Sequence, residues 1–237
     1  MQKITIAKAR KLSNRSEEAY KELRTNLQFC GKDIKVIGLT SCIPNEGKTS
    51  IALNLCIQLA EADKKVLFID ADMRKSVTVG RYRIMGASYG LSHLLSGVKE
   101  LDDCLYSTNY DGLHIITTGQ VPPNPSELLG DDIFADTVNK LRDVFDYIVI
   151  DTPPIGSVTD AAVVSQHCDG MVLVIAQNNI SYKFAQDVKG RLEKANAKIL
   201  GVILNKVQKN HANGYYGSYY GRYYGKYYGK YSKYYTD

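Results

Sequence analysis

Three short segments carry residues whose types and order suit phosphate chemistry. The first, Ser41-Cys42-Ile43-Pro44-Asn45-Glu46-Gly47-Lys48-Thr49, follows an apolar run and opens a helical pattern. A phosphate-binding loop needs that context, because backbone N–H groups at a helix start point at an anion and the helix dipole adds to them. Lys48 would reach the outer phosphates, and the Thr49 hydroxyl would ligate Mg²⁺. The strict pattern has a glycine where Cys42 stands. The second segment, Val66-Leu67-Phe68-Ile69-Asp70-Ala71-Asp72-Met73-Arg74, is an apolar strand that ends in two carboxylates at i and i+2. That spacing can place both on one side of the strand end, where one could serve a metal and the other act as general base. The third, Tyr147-Ile148-Val149-Ile150-Asp151-Thr152-Pro153-Pro154, is an apolar strand that ends in an acid and is stopped by prolines. An acid there suits water-mediated Mg²⁺ ligation. Each segment alone also fits an ordinary turn or strand end. Together, in this order and each at a strand terminus, they specify a Mg²⁺-dependent nucleotide-binding domain.

The elements that must hold these segments are legible from periodicity. Apolar strands are predicted at 35–41, 65–70, 113–118, 147–151, 171–176 and 199–205. Most are apolar throughout, a pattern that implies burial on both faces. Helical patterns intervene at about 48–62, 131–144, 159–166 and 181–195. Strands alternating with helices predict a doubly wound α/β fold with a mainly parallel sheet, whose C-terminal strand ends gather at one ligand-binding edge. An earlier helix begins near Asn14 or Ser16, either of which can cap it; Ala19, Leu23 and Leu27 share one face, and Gly31 ends it. Residues 1–13 are polar and basic without a clear period. Pro122-Pro123-Asn124-Pro125 forms a rigid loop entering a helix, with Ser126 as cap. Asn205-Lys206 ends the last strand beside the nucleotide, where Asn205 serves either as a base contact or as a strand-end cap. His93, His114, His167 and Cys104 lack partners at metal-ligand spacing and read as structural.

Composition bounds the function classes. The chain has 237 residues, 44% hydrophobic and 23% charged, which are globular values. No apolar run approaches the ~20 residues of a membrane span, and Met1–Lys11 lacks the apolar stretch of a secretory signal. Five cysteines without a Cys-x-x-Cys pair fit a reducing compartment, and the expected localisation is cytoplasmic. The chain has no Trp but 18 Tyr. Eleven of these are Tyr215, Tyr216, Tyr219, Tyr220, Tyr223, Tyr224, Tyr227, Tyr228, Tyr231, Tyr234 and Tyr235; the first eight stand in four Tyr-Tyr-Gly repeats with a period of four, followed by a ragged end. Beyond His211 the basic residues Arg222, Lys226, Lys230 and Lys233 face a single acid, Asp237, so much of the net +5 sits there. A basic nucleic-acid patch on the body is not indicated. Regular glycine and the absence of aliphatics after Ala212 argue for a flexible tail over 209–237, following one domain over 1–208.

These segments resemble the bacterial tyrosine kinases. Asp70-Ala71-Asp72-Met73-Arg74 matches the family's second Walker-type motif, and the loop with Pro44 and Asn45-Glu46-Gly47-Lys48-Thr49 matches its phosphate loop. The Tyr-rich C-terminus also matches. Glu18-Ala19-Tyr20-Lys21-Glu22-Leu23-Arg24 is similar to the family's ring-forming Glu-x-x-Arg-x-x-Arg motif, with Lys21 keeping the charge of the middle Arg but not its planar fork. The resemblance covers essentially the whole chain.

It implies ATP-dependent protein-tyrosine phosphorylation, with ATP and Mg²⁺ as cofactors. The implied catalytic set is Lys48, Asp70, Asp72, Arg74 and Asp151, with Asp70 as base. Thr49, Asp72 and Asp151 would hold Mg²⁺. Ile43, Pro44, Asn45, Glu46, Gly47, Lys48, Thr49, Ser50 and Asn205 would contact the nucleotide. The eleven tail tyrosines would be phosphorylated by a neighbouring chain in a homo-oligomeric ring, held through Glu18, Lys21 and Arg24. Partners implied are the cytosolic segment of a membrane-embedded polysaccharide copolymerase-type activator, which recruits the kinase to the inner face of the plasma membrane, and a phosphatase that reverses the reaction. The output would be control of capsule or exopolysaccharide synthesis and export. Partition and division-site ATPases share the layout and form the alternative, a nucleotide-switched dimer. Many of them carry a loop Lys that would fall at Ile43, and they have no tyrosine tail.

Overall fold

The computed structural model describes residues 2–8 and 12–208, and those up to Lys206 form one compact unit. Two short strands, β1 (Gln2–Lys3) and β2 (Thr5–Ile6), precede α1 (Asn14–Phe29). β3 (Val36–Ser41) leads through the phosphate loop into α2 (Lys48–Ala60), and β4 (Val66–Asp70) ends at the paired acids. Short elements follow: α3 (Thr78–Tyr82), β5 (Ile84–Met85), α4 (Leu91–Leu95), α5 (Leu101–Cys104) and β6 (Tyr106–Ser107). Next come β7 (Leu113–Ile116), α6 (Pro125–Gly130), α7 (Asp132–Arg142) and β8 (Tyr147–Asp151). The chain then runs through α8 (Asp160–Ser165), β9 (Gly170–Ala176), α9 (Tyr182–Lys194) and β10 (Ile199–Asn205).

Eight strands form one sheet in the order β1-β6-β7-β4-β8-β3-β9-β10, while β2 and β5 pair antiparallel. From β7 to β10 every pairing is parallel, so the ends of β3, β4 and β8 meet at one edge. β6 runs antiparallel to β7 because the connection between them is too short for a helical crossover. The continuous apolar runs feed three core clusters on the two faces of the sheet, one of them built by Met171 and Leu173 of β9 with Val188 and Leu192 of α9. Ile37, Leu39, Val66, Phe68 and Val149 join α2 on one side. Val36, Leu67, Ile69, Ile148 and Ile150 join Phe134 and Leu141 of α7 on the other. Successive strand residues point to opposite faces, so a strand covered by helices on both sides is apolar along most of its length, and the polar residues Thr40, Ser41, Asp70 and Asp151 fall at the C-terminal ends.

Several expectations need correction. β10 is apolar in sequence yet lies at the sheet edge, where Val202 and Leu204 are each 57% exposed. Sequence cannot distinguish an edge strand from a central one when both are apolar. The cap of α1 is Ser13, whose hydroxyl accepts from the Ser16 N–H at 3.3 Å, rather than Asn14 or Ser16. The face α1 turns inward carries Tyr20, Leu23 and Leu27, while Ala19 is exposed. The N-terminal segment, without a period in sequence, buries Ile4 and Ile6 in the core. Two-residue strands are too short to produce a visible period.

Candidate functional site

The phosphate loop is held from within. Glu46, expected among the nucleotide contacts, is instead 1% exposed and turns its carboxylate into the loop. One oxygen accepts from the Cys42 and Ile43 N–H groups at 2.8 and 3.0 Å, and the other from the Ala176 N–H at 3.0 Å. The loop is thereby clasped to the end of β9. Gly47 starts α2 at φ +94°, a left-handed conformation, and a Cβ there would lie 2.2 Å from the Asn205 amide nitrogen. Asn205 donates to the Glu46 carbonyl at 2.8 Å, and Lys206 donates to the Asn45 carbonyl at 2.6 Å. Asn205 therefore sits against the loop and binds its backbone. Ile43 and Ser50 are partly exposed at the loop, and Pro44 and Asn45 are exposed at its tip.

Lys48 ends among the acids of two adjacent strands. It is 6% exposed, with Nζ 2.5 Å from Asp151 Oδ1, 4.0 Å from Asp72 Oδ2 and 3.5 Å from Thr49 Oγ1. Asp70 and Asp151 are register partners in the β4–β8 pairing, so the two carboxylates lie side by side. Asp70 is fully buried, accepting from Ser76 Oγ at 2.6 Å and from the Asp72 N–H at 3.2 Å. Burial raises the Asp70 carboxyl above its ordinary range, against the Ser76 bond and the Lys48 charge. Asp151 is pushed up to about 6 by burial, with Lys48 opposing and Asp70 adding to the rise. Its second oxygen, Oδ2, has no hydrogen-bond partner among the described residues. Asp72 is 14% exposed at the mouth of the cluster.

No cluster of three His, Cys, Asp or Glu side chains in metal-binding arrangement occurs among the described residues. Mg²⁺ does not require one, since it takes one or two carboxylates and completes its shell with water and phosphate oxygens. The unpartnered Asp151 Oδ2, the Thr49 hydroxyl and Asp72 are hard oxygen donors of the right kind. The left-handed glycine that precedes α2 gives the tight turn through which a phosphate loop enters its helix.

Arg74 and Ser126 are placed differently from expectation. The Arg74 guanidinium forks onto Asp160, Nε to Oδ2 at 2.7 Å and Nη2 to Oδ1 at 3.0 Å, and Nη2 also reaches Ser126 Oγ at 2.9 Å. Ser126 donates to Asp160 Oδ1 at 2.6 Å and does not cap α6, which starts at Pro125. Asp160 and Ser76 were missed in sequence; each is a single polar residue whose partner lies elsewhere in the chain. Glu18 and Lys21 pair within α1 at 2.6 Å, and Arg24 donates to the Gln58 carbonyl at 3.3 Å. The tail tyrosines, Tyr215 to Tyr235, lie outside the described residues. Among the described residues no helix is long and apolar enough to cross a membrane.

The fold and loop define a nucleotide-using phosphate-loop protein, and residues 35–199 match the model of the AAA domain family. The kinase domain of the Escherichia coli tyrosine kinase ETK superimposes with a TM-score of 0.76 at 34% identity, covering 84% of this chain and 80% of that one. The tyrosine-protein kinase CpsD of Streptococcus agalactiae is 41% identical over 206 residues, 86% of this chain and 90% of the relative. The tyrosine-protein kinase YwqD of Bacillus subtilis is 36% identical over 221 residues, 92% of each. The chain belongs to the bacterial tyrosine-protein kinase family and is a protein-tyrosine kinase. The partition-ATPase alternative gives way to it.

Proposed function

We propose that this kinase transfers the terminal phosphoryl group of ATP to the tyrosines of its own C-terminal cluster, between chains, and thereby regulates capsule or exopolysaccharide synthesis and export. The observation that carries the reading is the convergence of Lys48, Asp72 and Asp151 beside buried Asp70 at the ends of adjacent strands. Lys48 neutralises charge developing on the transferred phosphoryl group. Thr49, Asp72 and Asp151 would hold Mg²⁺, which would supply charge neutralisation at the phosphate oxygens. The tyrosine oxygen forms the new P–O bond as the bond to the ADP oxygen breaks, and the phenol proton passes to Asp70. A phenol of pKa ~10 is poorly matched to an ordinary carboxylate; burial, which raises Asp70, narrows the gap. Positioning and electrostatics supply most of the rate.

Residues 1–208 act as the kinase domain and 209–237 as its substrate tail. Glu18, Lys21 and Arg24 contribute to a ring in which each tail meets a neighbour's site. A membrane-embedded activator recruits and switches on the kinase, and a phosphatase resets it. Each added phosphate brings roughly −1.5 to −2 charge, so a phosphorylated tail is repelled by the carboxylate cluster and the ring dissociates.

The test incubates full-length protein with Mg-ATP, with and without the cytosolic peptide of a candidate activator, and maps phosphotyrosine by mass spectrometry. Mixing active chain truncated after Asn210 with full-length Lys48→Met chain should label the tail of the inactive partner at a rate that rises with concentration. An unlabelled tail, with wild-type labelling independent of concentration, would place the reaction within one chain.

A further inference from the structure

The Arg74–Asp160–Ser126 cluster lies outside the metal-and-lysine centre, yet it starts from the same strand end. Asp160 is a completely buried carboxylate at the start of α8, and Arg74 reaches it across 86 residues of sequence. Among the described residues the carboxylate's side-chain hydrogen bonds come from Arg74 and Ser126. Burial alone would raise Asp160, but those bonds and the Arg74 charge outweigh it and hold it below the usual carboxylate range. Arg74 is 40% exposed on its outer side.

Burying a charge beside a cation is not an efficient way to gain stability, because the desolvation cost offsets most of the attraction. The geometry gives orientation instead. A guanidinium bound through two edges by one carboxylate has its plane and rotamer fixed. Here Nε and Nη2 are engaged, whereas Nη1 has no hydrogen-bond partner among the described residues. The fixed cation is also within electrostatic range of Asp72. The neighbouring site gathers the carboxylates of Asp70, Asp72 and Asp151 around one buried lysine. Phosphoryl oxygens entering that site meet more acid than base, so a second cation held in place lowers the barrier to their approach.

We propose that Asp160, with Ser126, is a positioning residue that clamps Arg74 so that its free Nη1 edge binds phosphoryl oxygens at the transfer site. These oxygens belong either to the group in transfer or to the phosphotyrosine product. The proposal rests on the reading of the acid cluster as the phosphoryl-transfer site. It assigns Asp160 a function exerted through Arg74, and it couples the first turn of α6 to the chemistry through Ser126.

The experiment uses full-length protein and a peptide of the Tyr-Tyr-Gly repeat as acceptor, and measures kcat, both KM values and inhibition by the phosphotyrosine form of that peptide. Asp160→Asn keeps the shape but removes the charge that binds the fork. If Arg74 acts on the group in transfer, Asp160→Asn should lower kcat about ten- to a hundredfold with both KM values within about twofold. If it acts on the product, kcat should hold while inhibition by the phosphopeptide weakens by about tenfold. In either case Asp160→Asn should add less than about twofold in an Arg74→Ala background, and Ser126→Ala should give a smaller loss of the same kind. Two results would overturn the proposal. One is kinetics and product inhibition unchanged in a folded Asp160→Asn protein; the other is a loss equally large in the Arg74→Ala background. Should Asp160→Asn fail to fold, Ser126→Ala combined with Arg74→Ala decides by the same non-additivity. Lys48→Met separates the two levels: if it stays active, the transfer-site reading itself fails, whereas an inactive Lys48→Met beside an unaffected Asp160→Asn removes only this inference.

Discussion

The centre of the sheet and its β10 edge are both apolar in sequence, but they behave differently. β3 and β4 are buried along their length and β8 from Ile148 onward, and their ends carry Asp70, Asp151 and the loop that presents Lys48. Among the described residues β10 has one neighbouring strand and exposes Val202 and Leu204; the side chains of Asn205 at its end and of Lys206 just beyond donate to the loop's backbone. Central position desolvates the acids, raises Asp70 and Asp151 and forces a buried lysine onto them. Edge position leaves polar groups wet and suited to holding a loop or a ligand without altering its chemistry. Reactivity in this fold follows strand order.

That comparison can be broken at either end. Lys48→Met should lower tyrosine phosphorylation by more than about a thousandfold, with the circular dichroism spectrum retained; clear phosphotyrosine on this variant in a host lacking other tyrosine kinases would detach the chemistry from the sheet centre. Asp70→Asn should bind Mg-ATP nearly normally yet lose transfer by about a hundredfold or more, whereas Asp72→Asn and Asp151→Asn should raise the Mg²⁺ concentration needed for half-maximal rate. If Asp70→Asn weakens Mg-ATP binding as severely as Lys48→Met, the division of roles between the acids is wrong. In stability, Phe68→Ala, at the centre of β4, should cost about 3–5 kcal/mol in urea unfolding. Asn205→Ala should raise the KM for ATP by only about two- to fivefold, because it removes a single bond worth about 1 kcal/mol from the loop. Leu204→Ser, on the exposed face of β10, should change unfolding free energy by less than about 0.5 kcal/mol. A loss near that of Phe68→Ala would show that the edge is covered in solution.

The legible part of the structure is the part encoded locally. Tyr147–Asp151 and Ile199–Asn205 were readable as strands because an apolar run bounded by acids, prolines or polar residues needs no distant information. α7 and α9 were readable because 3.6-residue periodicity spans several turns. β1, β2, β5 and β6, at two residues each, are too short for any period, and their strand state comes from the partner that pairs with them. The cap of α1 shifted to Ser13 because Ser13, Asn14 and Ser16 all favour that position, and only the entry angle of the chain chooses among them.

By itself the sequence determined the α/β class, the mainly parallel sheet, the phosphate loop and the family. Each depends on residue types at short spacing, where backbone geometry converts spacing into position. Tertiary structure decided which charges meet. Lys48 and Asp151 are 103 residues apart in the chain and Arg74 and Asp160 are 86 apart, and no local pattern links either pair. It also decided that Glu46 faces into its own loop and that Asp70 lies behind Ser76. The reason is physical: burial, and with it the strength of every charge interaction in the site, depends on strand order across the sheet, which is created only when distant segments pack together.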